Sequence, residues 1–90
     1  MIGCSILVSG KVQGVFYRAS TAEEAKRLGV TGWVKNLPSG EVLIEAFGIQ
    51  EQVEALAAWC KQGPPLSEVN KVTVQEISFR EESSFRVVYL

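Results

Sequence analysis

Two stretches with helical spacing, separated by a strand-turn-strand pattern, leave this 90-residue chain few ways to enclose a core. From Cys4 to Ser9 the residues are apolar or small, and Ile6, Leu7 and Val8 form the near-continuous apolar run of a central strand. Helix formers then fill residues 19–28, with Ala22 and Ala25 on one face, and Gly29 supplies the stop. Val30 to Leu37 reads as a strand, Pro38-Ser39-Gly40 as a tight turn, and Val42, Ile44 and Ala46 alternate with Leu43, Glu45 and Phe47, which predicts a hairpin. Ile49, Val53, Leu56 and Cys60 recur at spacings of four, three and four, the stripe of an amphipathic helix over 49–62 that Gly63-Pro64-Pro65 ends. Val72, Val74 and Ile77, followed by Phe85, Val87 and Tyr89, predict two further strands.

That order predicts an α+β, ferredoxin-like two-layer sandwich: a mainly antiparallel sheet of four to five strands, two helices on one face, and right-handed crossovers. A chain of this length is expected to form a single domain over residues 1–90, with one core and no room for a second module. The aromatic residues Trp33, Trp59, Phe47, Phe79 and Phe85 fall at strand or helix spacing and are expected to pack in or near that core.

Charge restricts the partners. Nine basic and ten acidic side chains leave a net charge of -1, which argues against affinity for a nucleic-acid backbone through a broad field. Any anion site must therefore be local. No apolar run is long enough to span a membrane, and Met1-Ile2-Gly3-Cys4 lacks the flank and length of a signal peptide, so a cytoplasmic protein with no membrane partner is expected. Histidine is absent and Cys4 and Cys60 lie far apart, so neither a metal site nor a cofactor is expected. Two buried, reduced thiols are the favoured state of those cysteines, with a bridge between strand and helix as the alternative.

The segment Gly10-Lys11-Val12-Gln13-Gly14-Val15-Phe16-Tyr17-Arg18 joins the end of the first strand to the start of the first helix. Two glycines let the backbone turn tightly and approach a ligand, so that successive amides can converge on an oxyanion at the positive end of the helix. Arg18 in the first helical turn opposes the macrodipole by roughly 0.3 to 1 kcal/mol when nothing compensates it. An anion would turn that conflict into cooperation, and a guanidinium offers a phosphoryl group a planar, bidentate fork. Lys11 either attracts an incoming anion or keeps the loop solvated.

Residues 8–18, Val8-Ser9-Gly10-Lys11-Val12-Gln13-Gly14-Val15-Phe16-Tyr17-Arg18, closely resemble the first signature of the acylphosphatase family. Gly32-Trp33-Val34-Lys35-Asn36-Leu37-Pro38-Ser39-Gly40-Glu41-Val42, extending to Gly48, resembles the second, and Gly63-Pro64-Pro65 with Val69 and Val72 resembles a third stretch. Tyr17 departs from the pattern, since the family more commonly has phenylalanine there. If buried, its hydroxyl needs a hydrogen-bond partner.

The resemblance implies hydrolysis of small acyl phosphates to a carboxylate and inorganic phosphate, by a monomer with no metal and no covalent intermediate. By position, Arg18 binds the phosphoryl oxygens and the backbone of Gln13, Gly14, Val15, Phe16, Tyr17 and Arg18 forms the phosphate-binding loop, with phosphate or sulfate as a site ligand. Asn36 orients the attacking water. Taken alone, Asn36 in Asn-x-Pro-x-Gly is a turn residue, and only the resemblance promotes it. The leaving carboxylate has a conjugate acid of pKa about 4, so no general acid is demanded and a protein without histidine suffices.

Two other functions fit the fold. A non-catalytic module could hold phosphate or an acyl phosphate in the same cradle. RNA binding on the sheet is disfavoured, because the third strand reads Glu41-Val42-Leu43-Ile44-Glu45 in place of a basic and aromatic platform.

Overall fold

The computed structural model describes residues 1–89. In chain order the elements are β1 (Ile2–Lys11), α1 (Tyr17–Leu28), β2 (Thr31–Asn36), β3 (Val42–Gly48), α2 (Gln50–Cys60), β4 (Glu68–Ile77) and β5 (Phe85–Val88). The five strands form one sheet in the order β4-β1-β3-β2-β5. β1 pairs antiparallel with β3 and β4, as does β2 with β3, while β2 and β5 run parallel. The predicted ferredoxin-like α+β sandwich is therefore present, its sheet mixed by one parallel edge.

Alternation decides which face is dry. Ile6 and Val8 of β1, Val34 of β2 and Val42 and Ile44 of β3 are buried beneath the helices with Ala25 of α1 and Val53 and Leu56 of α2. α1 closes as expected: Gly29 takes φ 77°, its N–H donates to Lys26 O at 3.2 Å, and the Val30 N–H reaches Ala25 O at 2.8 Å, a Schellman arrangement that satisfies the last carbonyls. β1 is longer than the Cys4–Ser9 stretch expected, because it continues through a bulge between Ser9 and Gly10 and stays paired with β4 as far as Lys11. Gly10 belongs to that bulge. A Cβ there would lie 2.2 Å from Glu68 O, so this glycine serves the approach of two strands and not the anion loop.

Phe47 and Phe85 are buried as expected, and Trp33 and Trp59 are half-buried. Phe79 remains 43% exposed, because it sits on the open face of the sheet, edge-on to Phe47 at 6.3 Å. Arg80 lies 4.7 Å above the Phe47 ring and pairs with Glu45 at 2.9 Å, so the segment after β4 caps Phe47 from the side away from the helices.

Cys4 and Cys60 are both buried and free, the favoured of the two expected states. Burial pushes the Cys60 thiol up to about 12, which keeps it protonated and unreactive at neutral pH. Tyr17 is 1% exposed and its hydroxyl donates to Cys60 O at 2.7 Å, while its ring lies 5.7 Å from Trp59. The unusual tyrosine thus finds the partner that its burial requires, and it pins the first residue of α1 to the last turn of α2. Tyr17→Phe is expected to cost about 1 kcal/mol, the net worth of one buried hydrogen bond, read as a lower urea midpoint at unchanged slope.

Candidate active site

The chain between β1 and α1 changes hand twice. Gly14 takes φ 76° and Phe16 φ 66°, both left-handed, before Tyr17 begins the helix. For phenylalanine that conformation costs roughly 1 to 2 kcal/mol, and such alternation turns neighbouring N–H groups toward one point. Among the described residues no side chain answers them: the α1 N-terminus has no side-chain cap and no acidic residue in its first turn. The start of α1 is thus an uncompensated positive end.

Beside it opens a cleft of about 270 Å³, lined on the loop side by Val12, Gly14, Phe16, Tyr17, Arg18 and Ala19, and completed by Asn36, Val87 and Tyr89. Among these residues Arg18 carries the only formal charge. Its guanidinium donates to Val88 O at 3.2 Å and lies 4.7 Å from the Tyr89 ring, so the segment at and after β5 holds it against the cleft. Burial, with the Cys60 thiol adding, holds the Tyr17 phenol well above its ordinary pKa and leaves it a neutral donor.

Asn36 ends β2 opposite Val42, two residues beyond buried Val34 and so on the helix side of the sheet. Its Oδ1 is buried and has no hydrogen-bond partner among the described residues. An acceptor left in that state costs about 1 to 3 kcal/mol, a penalty removed when a water or ligand donor reaches it from the cleft.

Of the residues expected in the site, Gly14, Phe16, Tyr17, Arg18 and Asn36 meet at this cleft, whereas Gln13 and Val15 do not line it. Val15 is buried, and the Gln13 side chain turns to the β2–β3 hairpin. Lys11 is exposed and also lies outside the lining. Val87, Val88 and Tyr89 were missed by the sequence reasoning. Their strand-like alternation was visible, but the parallel pairing that brings them beside β2 carries no local signal. Among the described residues, no three His, Cys, Asp or Glu side chains gather where they could hold a metal ion.

Geometry alone defines a class: an α+β sandwich that gathers a left-handed loop at a helix N-terminus, one guanidinium and one side-chain amide at a single cleft. Residues 4–87 match the acylphosphatase family, and the chain belongs to it. It is 53% identical over 77 residues to an acylphosphatase of Methylococcus capsulatus, covering 86% of this chain and 84% of that one. Among solved structures, an acylphosphatase from Coxiella burnetii superposes with a TM-score of 0.93 at 42% identity, covering 97% of this chain and 92% of the other. One from Bacillus subtilis superposes with a TM-score of 0.95 at 36% identity, covering 99% and 100%. The chain is an enzyme of acylphosphatase type, and the catalytic reading is favoured over a passive phosphate-binding module.

Proposed function

We propose that this acylphosphatase works through Arg18, the amides of the Gln13–Arg18 loop, and Asn36, on small acyl phosphates whose phosphoryl end alone is gripped. The observation that carries the assignment is that Asn36, whose buried Oδ1 has no hydrogen-bond partner among the described residues, lines the same cleft as Arg18.

The phosphoryl group lies at the α1 N-terminus, its oxygens shared between amides and guanidinium. Water, donating one hydrogen to Asn36 Oδ1, attacks phosphorus in line with the acyl oxygen. As the new P–O bond forms, the old one breaks and its electron pair leaves on the carboxylate. Both protons of the water finish on the phosphate, so an acyl phosphate dianion and water yield a carboxylate and dihydrogen phosphate. The transition state is loose, with charge spread over the equatorial oxygens, so fixed donors and positioning supply most of the acceleration.

No metal or cofactor takes part in this scheme, and inorganic phosphate or sulfate acts as a competitive ligand of the loop. The same proposal treats residues 1–90 as one domain acting as a monomer. A cytoplasmic location suits the two free thiols, which persist in a reducing compartment.

Purified protein in excess chelator is expected to hydrolyse benzoyl phosphate far above the spontaneous rate, releasing one phosphate per benzoate. Saturable binding without phosphate release would overturn the catalytic scheme, and activity lost to chelator and restored by a metal ion would overturn its metal-free form.

A further inference from the structure

The Gln13 side chain joins two segments that its place in the loop does not reveal. Its Nε2 donates one hydrogen to Leu37 O at 2.8 Å and the other to Glu41 O at 2.9 Å. Those two carbonyls form the neck of the β2–β3 hairpin, where the Leu37 N–H already donates to Glu41 O at 2.8 Å and the Gly40 N–H to Leu37 O at 3.1 Å. Leu37 follows Asn36 directly, so one of the two residues that Gln13 grips adjoins the residue assigned to the water. Among the described residues, no backbone hydrogen bond joins residues 12–15 to that hairpin. A planar amide carries two donors at a fixed angle, which is what bridging two carbonyls requires; a carboxylate carries none.

We infer that Gln13 is a positioning residue that sets the distance between the phosphate loop and Asn36, and so aligns the attacking water with the bound phosphoryl group. The inference rests on the roles proposed for the loop and Asn36, and adds a mechanical link between them. One end of the link immediately precedes left-handed Gly14, the other immediately follows Asn36. Without it, the loop and the hairpin tip can each keep their local form while their separation drifts. A shift of about 1 Å in reacting groups can cost on the order of 100-fold in rate, and a drift averaged over many positions costs less. Phosphate affinity, set by the loop amides and Arg18, should barely change.

The test is a double-mutant cycle on kcat for benzoyl phosphate, with the inhibition constant of inorganic phosphate measured beside it. Gln13→Met keeps length and volume but removes both donors. It is expected to lower kcat roughly tenfold and to change phosphate inhibition by less than about twofold. In an Asn36→Ala background the same change is expected to have almost no further effect, since no aligned water remains to lose. Gln13→Glu supplies a second readout that also serves if the methionine variant does not fold. Facing two carbonyls, its carboxyl is held from ionising, and once protonated it can donate to one of them. Its kcat relative to wild type should therefore rise as pH falls from 8 to 5. An Asn36→Ala enzyme of full activity overturns the Asn36 assignment and this inference together. A slow Asn36→Ala enzyme in which Gln13→Met still lowers kcat tenfold overturns the inference alone. So does phosphate inhibition weakened in step with kcat, or a Gln13→Glu ratio that is flat with pH.

Discussion

Arg18→Ala is expected to lower kcat/KM for an acyl phosphate by roughly 1000-fold or more, and to abolish inhibition by millimolar phosphate. Arg18 carries the only formal charge among the described residues lining the cleft, whereas the substrate brings about two negative charges. The loop amides alone supply partial charges of the order of half an elementary charge, enough to orient the anion but not to neutralise it. The guanidinium is also held before substrate arrives, by Val88 O and the Tyr89 ring, so little side-chain freedom remains to be lost on binding. Arg18→Lys should recover only part of the loss, because an ammonium cannot form a planar pair of bonds to two phosphoryl oxygens.

Stability should move far less than activity. Alanine removes a cation from the positive end of α1, a gain of roughly 0.3 to 1 kcal/mol, and loses one half-buried hydrogen bond of similar size. A folded protein with an unchanged urea midpoint and no turnover is the expected pair of results. If Arg18→Ala instead binds phosphate as wild type does, the guanidinium is not the phosphoryl ligand.

Much of this site is legible in the amino-acid sequence, because the part proposed to hold phosphate is local. Gly14, Phe16 and Arg18 lie within one turn of the same strand-to-helix junction, so residue types that favour a tight bend and a fork for phosphate fall together in sequence. Gly29 announces the end of α1 for the same reason: a left-handed cap involves only its own neighbours. Asn36 is different. Its local chemistry reads as a turn, and only resemblance to a family promotes it, whereas in the folded chain its buried, unpartnered oxygen is a physical reason of its own.

What the sequence hides depends on contacts far apart along the chain. The bonds of Gln13 reach carbonyls 24 and 28 residues away, and Arg18 reaches Val88 across 70 residues. No spacing rule encodes either. Gly10 misleads in the opposite direction: it sits in a sequence that looks like an anion loop, yet the missing side chain makes room for the Glu68 carbonyl of the neighbouring strand. Phe79 shows another limit: it lies two residues past the end of β4, outside any strand, so no alternation sets its side, and it packs edge-on to Phe47 while 43% exposed.

Asn36→Ala is expected to reduce kcat by roughly 100-fold while leaving inhibition by phosphate within about threefold of wild type. The split follows from where each group acts. In the proposed scheme phosphate affinity comes from the α1 amides and Arg18, none of which alanine at residue 36 removes. Only the placement of the nucleophile is lost, and water in the cleft then samples orientations that are seldom in line with the acyl oxygen. Asn36→Asp separates positioning from base catalysis, because aspartate keeps the acceptor but adds a negative charge beside the phosphoryl group. If Asn36 only orients water, the aspartate variant should be at least as slow as alanine and should bind phosphate more weakly, since like charges repel. Were Asn36→Asp as fast as wild type with phosphate inhibition unchanged, a charge at residue 36 would not be felt by the phosphoryl group, and Asn36 would not stand beside the reacting water. Steady-state kcat and the inhibition constant of phosphate, measured for both variants at pH 7, decide between these outcomes.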